Sequence, residues 1–149
     1  MSDSRALYLR DNYPRIASEL LRPLVNVFTA AREVCDGDVD KFLILLVLCM
    51  RMTEHPDFKR LSHAQIMAGE PEVLPSLGTN TRSIAASVGI PKETSRRKLA
   101  DLVDSGWLVR QHWDFRLTAK GYAALEPIRT RIQAMALSQH DLLTEILPL

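Results

Sequence analysis

The chain is poor in the residues on which most small-molecule chemistry depends. It has two cysteines and four histidines in 149 residues. No Cys-x-x-Cys pair and no His-x-x-x-His spacing occurs, so a metal centre would have to be assembled by the fold from His55, His63, His112 and His140. Glycine is equally scarce, at six residues. There is no glycine-rich phosphate loop and no nucleophile elbow, which leaves no catalytic set, no enzyme activity and no cofactor or metal to expect. Long apolar runs are absent too. The longest, Phe42 to Met50 (FLILLVLCM), is less than half of the roughly 20 residues that a membrane helix needs. The opening MSDSRALYLRDNYPR is polar and charged, unlike a signal peptide, and the expectation is a cytoplasmic protein with no membrane partner. Cys35 and Cys49 are then reduced thiols. Cys49 falls inside the apolar run and is expected to be buried and inert. Cys35 lies beside a helix end, a position open to exposure, with its thiolate disfavoured by Glu33 and Asp36.

A strong charge of either sign is also missing, since the formal net charge is only +1. The distribution is uneven, however. Between Thr79 and Arg116 seven Lys or Arg face four Asp or Glu, whereas the residues before Thr79 carry nine against eleven. A local basic excess on a nearly neutral protein is what a phosphate-facing surface requires.

That segment also has the most ordered pattern. Thr81 to Val88 reads as a short helix with Ile84, Ala85 and Val88 on its inner face. Gly89 ends it, because a left-handed terminal residue costs glycine no Cβ clash. Pro91 is placed in the first turn of a second helix, Lys92 to Ser105, which carries Ser95, Leu99, Leu102 and Val103 on one side. At 100° per residue Glu93 and Arg97 point away from that side, with Lys92 and Arg96 flanking them. Asp101 and Asp104 fall in the second half, so only the first half suits an approach to phosphate. A hairpin follows: Trp107 to Arg110, a turn near Gln111 to Asp114, then Phe115 to Leu117. Arg110, His112 and Arg116 lie on or beside it, and Thr118 is placed to cap a helix beginning at Ala119.

From Arg82 to Leu108, with Ala85, Gly89, Thr94, Arg96, Arg97, Leu99, Leu102 and Gly106, the sequence resembles the winged helix-turn-helix of bacterial GntR and Crp-type regulators. The following DFRLTAKGYAAL, Asp114 to Leu125, is more similar to the wing end and next helix of MarR-type regulators. The resemblance covers Thr79 to Leu125, about a third of the chain. It departs at Ser95, where a Val or Ile is usual, and at Lys98, where a small residue is usual; a weaker helix contact would follow. What the resemblance implies is a second helix in the major groove of double-stranded DNA. The candidate DNA-contacting residues are Arg82, Lys92, Glu93, Thr94, Arg96, Arg97, Arg110, His112 and Arg116. Arg97 is assigned to a guanine edge, with Glu93 accepting from cytosine or orienting Arg97, and Lys92 and Arg96 to phosphates.

The remainder reads as helical. Phe42 to Met52 continues a helix begun near Asp38, apolar all round and hence buried on every side. Its partners are Tyr13 to Val34, with Ile16, Leu20, Leu24, Val27, Phe28 and Ala31 at helical spacing and a break or kink at Pro23, and Ile128 to Leu147 after a kink at Pro127. Glu54 to Leu77, with Pro56, Pro71 and Pro75, should be largely irregular, apart from a short helix at Ser62 to Met67.

The expectation is thus a mainly α fold: a winged helix-turn-helix with a short β-hairpin wing and flanking N- and C-terminal helices. It forms one domain over 1–149, helical at 1–78, winged helix-turn-helix at 79–120, and C-terminal helices at 121–149. Helices at both ends are the MarR-like arrangement, which implies a homodimer with reading helices about 34 Å apart. The competing reading is a winged-helix module that binds protein and not DNA. The sequence identifies no small-molecule effector.

Overall fold

The computed structural model describes residues 3–147 and is mainly helical with one small antiparallel sheet. Helix α1 spans Ser4–Val34 and opens on Asp3, whose side chain accepts from the Arg5 N–H. It begins well before Tyr13 and runs unbroken through Pro14 and Pro23, contrary to the break expected at Pro23. Each proline frees one carbonyl, of Arg10 and of Glu19, and both residues are exposed, which leaves the missing donor to solvent and not to the core. The helix packs chiefly along α7, Glu126–Ile146. Ile16, Val27, Ala30 and Ala31 face inward, but Leu24 and Phe28, expected in the core, are 41% and 47% exposed.

Asp36 and Gly37, both at positive φ, turn the chain into α2, Val39–Thr53. Asp38 caps it, accepting from the Lys41 N–H at 2.9 Å. Helix α2 touches α1, α4 (Thr81–Val88), α5 (Lys92–Asp104) and the sheet, and supplies Phe42, Ile44, Leu45, Leu48 and Met52 to the core. It is not buried on every side. Val39 and Met50 are 56% and 60% exposed, because the neighbouring elements leave one flank uncovered. The packed turn also covers Cys35, which is 3% exposed. Burial pushes its thiol up to about 11, with Asp38 and Asp36 adding to the shift and Lys41 opposing it. Burial likewise holds the Cys49 thiol at about 11.

The proline-rich stretch is more ordered than its composition suggests. It holds a 3₁₀ turn at Phe58–Arg60 and helix α3, His63–Met67, opened by a capping box between Ser62 and Gln65. The following segment runs extended beside the hairpin. The Leu74 N–H donates to the Leu117 carbonyl at 3.0 Å, the Ala119 N–H to that of Glu72 at 2.8 Å, and the Phe115 N–H to that of Thr79 at 2.9 Å. Leu74 is fully buried there.

The hairpin consists of β1, Leu108–Gln111, and β2, Asp114–Leu117, in the register Leu108 opposite Leu117 and Arg110 opposite Phe115. Thr118 caps α6, Ala119–Ala124, accepting from the Gly121 N–H at 3.0 Å, as its sequence position suggests. The expected 120/121 boundary therefore falls inside α6. The chain breaks between α6 and α7 at Leu125, and Pro127 lies in the first turn of α7. Ile44, Leu45, Leu48, Leu74, Ile84, Leu99, Leu102, Leu108 and Leu117 form a core shared by α2, α4, α5 and the hairpin.

Candidate nucleic-acid interface

Helices α4 and α5 meet through a three-residue turn. Asn80 caps α4, accepting from the Ser83 N–H at 2.9 Å. Gly89 closes it at φ 78° and donates its N–H to the Ala85 carbonyl. Pro91 has ψ 143° and precedes α5 instead of lying in its first turn. Its carbonyl accepts both the N–H and the hydroxyl of Ser95, at 3.0 and 3.1 Å. Ser95 is fully buried, and that bond spares it the cost of an unpaired hydroxyl.

Leu99 and Leu102 anchor α5 against the core and thereby aim Glu93, Arg96 and Arg97 at solvent. The charges are arranged differently from the sequence reading in two respects. Glu93 pairs with Arg96, at 2.5 and 2.9 Å, and not with Arg97. That guanidinium holds the Glu93 carboxyl below its usual range, and the carboxylate in turn raises Arg96. Arg97 is exposed and has no ion pair among the described residues. Lys98 turns inward, its ammonium 2.5 Å from Asp38, so it ties α5 to the start of α2 and leaves the outer cationic face.

Between the start of α4, one side of α5 and the hairpin lies a cleft of about 600 Å³, which follows α5 from Lys92 and Arg96 to Ala100, Val103 and the acidic Asp104. Arg82, Lys92, Arg96 and Arg110 converge on it from three elements, with Trp113 and Phe115 on the hairpin side. The Arg110 guanidinium lies 5.8 Å from the ring centres of both Trp113 and Phe115, and its Nε donates to the His112 carbonyl at 3.3 Å.

The other candidate residues lie outside the cleft. Glu93 and Arg97 project from the outer face of α5, and Thr94 is half-buried. His112 is exposed in the two-residue turn at φ 57°. Arg116 pairs in register with Val109, on the opposite hairpin face from Arg110. It is half-buried, with its Nε enclosed and without a hydrogen-bond partner among the described residues, so it does not join Arg110 in one surface as their common placement on the hairpin suggested.

Sequence reasoning missed Asn80 and Trp113 as lining residues. An Asn directly before a helix is a capping signal. A tryptophan in a tight turn, where Gly, Asn and Asp are favoured, is a signal of another kind. Among the described residues no group of His, Cys, Asp and Glu is arranged to hold a metal, and no helix is long and apolar enough to cross a membrane. No family model, curated protein or solved structure matches the chain.

Proposed function

We propose that the protein is a sequence-specific DNA-binding transcriptional regulator of the winged helix-turn-helix type, with α5 as the major-groove reader and the β1–β2 hairpin as the wing. The observation that carries this reading is the convergence of four cations from α4, α5 and the hairpin beside the exposed, cation-rich first half of α5. Oriented cations at that density complement a phosphate backbone. Arg97 is the base-reading residue. It is exposed on the outer face of α5 and has no ion pair among the described residues, while Glu93 is engaged with Arg96. Lys92 and Arg110 meet phosphates.

A MarR-like homodimer completes the proposal. Leu21, Leu24, Val25 and Phe28 on α1 and Leu137 on α7 are exposed apolar side chains at the two ends of the chain, and covering them with a second copy brings two reading helices onto a pseudo-palindromic site.

Binding to random and selected duplexes across a salt series tests the function. Salt-dependent binding is expected, with Arg97→Ala costing about 1–3 kcal/mol and relaxing preference at one base pair per half-site. Equal weakening on every sequence would make Arg97 a phosphate contact. Absence of salt-dependent binding would favour a winged-helix module that binds protein.

A further inference from the structure

The tip of the hairpin carries the most exposed large apolar side chain among the described residues, Trp113, at 76%. Its position is doubly unfavourable. The two-residue turn is built from His112, at a positive φ better suited to Gly or Asn, and from an indole left in water. Residues that break local turn rules mark places where another requirement has prevailed. The indole is also not free-standing: the Arg110 guanidinium lies 5.8 Å from the ring centres of both Trp113 and Phe115, which sets a cation beside the exposed ring. Trp113 borders the cleft on which Arg82, Lys92, Arg96 and Arg110 converge. An aromatic ring rimming a cationic cleft complements one polymer in particular. A nucleic-acid strand offers phosphates to the cations and a sugar and base face to the indole within a few ångströms.

We infer that Trp113 is an apolar wedge that enters the minor groove beside the segment read by α5 and partly unstacks one base step there. The inference rests on the DNA-binding reading and deepens it, adding a class of preferred substrate: duplexes with a pyrimidine–purine step under the hairpin tip, where unstacking is easiest. Arg110 acts as the positioning residue that holds the indole edge-on to the groove and neutralises the phosphate beside it.

The test compares the 149-residue chain with its Trp113→Ala and Trp113→Phe variants on selected duplexes, some carrying 2-aminopurine at successive steps and others a donor–acceptor dye pair at the ends. Because Trp113 is exposed, both variants should keep the wild-type circular dichroism spectrum. Wild-type binding should raise 2-aminopurine emission at one step, bend the duplex, and quench indole emission. That quenching should vanish in Trp113→Phe, whose remaining Trp107 is half-buried. Trp113→Ala should lose roughly tenfold in affinity, together with the bend and the 2-aminopurine signal, while keeping the salt slope, since no charge is removed. Trp113→Phe should retain most of the affinity and the bend. Wild-type binding with salt dependence, but with the affinity and bend unchanged in Trp113→Ala, would overturn the wedge and leave the DNA-binding reading standing. No salt-dependent binding by the wild-type chain would remove both.

Discussion

The pair Lys98–Asp38 joins residues 60 positions apart, and its removal should separate two jobs that the sequence assigns to one cluster of cations. Asp38 is bonded twice, to the Lys98 ammonium at 2.5 Å and to the Lys41 N–H at 2.9 Å as the cap of α2. Both side chains are less than a third exposed, at 21% and 27%. Loss of a cap costs about 1 kcal/mol, and loss of a partly buried ion pair about 1 more. Asp38→Ala should therefore cost about 2 kcal/mol, and Lys98→Met, which keeps the apolar stem, about 1. Because the two side chains act on each other, the double variant should cost about 2 and not 3, a coupling of about 1 kcal/mol.

Urea unfolding followed by circular dichroism measures this. With a slope of about 2 kcal/mol/M, Asp38→Ala should lower the midpoint by about 1 M. The pH dependence has a definite sign. Burial alone would raise the Asp38 carboxyl, but the bonds from Lys98 and Lys41 outweigh it and hold the carboxyl below its usual value. Its contribution is then full above the unfolded value of about 4 and is lost as pH falls through the lower folded value, so the gap between wild type and Asp38→Ala should narrow in acid. Because Lys98 faces α2, Lys98→Met should leave the salt slope of DNA binding unchanged, whereas Lys92→Met should lower it by about one unit. A coupling of zero, or a slope that falls with Lys98, would refute the assignment.

A Cβ at residue 121 would stand against the Trp107 carbonyl oxygen and 2.9 Å from Leu117 Cδ1. Gly121→Ala should therefore lose about 1–2 kcal/mol despite the gain in helix propensity of about 1, and an unchanged or higher midpoint of thermal unfolding would contradict that packing. With both thiols at about 11, native Cys35 and Cys49 should react with a disulfide reagent at pH 8 at least about 100-fold more slowly than in denaturant; prompt modification of one native thiol would show that it is accessible after all. Val25, at 60% exposure on α1, should be a dimer contact. Sedimentation of Val25→Glu is then expected to show monomer where the wild-type chain is dimeric, with operator affinity down by about 100-fold through lost avidity. A wild-type monomer at those concentrations would end the twofold reading.

What could be read without coordinates depends on interactions that close within a few residues. Gly89 ends α4, Thr118 caps α6, Asp38 opens α2 and Ser62 opens α3 because capping bonds span two to four positions. The inner face of α5 follows from 3.6-residue spacing, which is why Ser95, Leu99 and Leu102 are buried and Arg97 is not.

Spacing also identified an apolar stripe on α1, but could not say which part of it the chain's own α7 would cover; Val27 and Ala31 went inside and Leu24 and Phe28 stayed out. The position of Cys35 at a helix end leaves exposure open, and it is buried because burial at a turn depends on what packs over it. The inward turn of Lys98 and the extended partner that residues 72–79 give to the hairpin both depend on chain segments brought together from a distance. The physical reason is the same in each case. Helix ends and faces are settled by the local backbone, whereas the direction of a long cation and the cover over an apolar side chain are settled by whichever distant segment arrives against it, which no local pattern encodes.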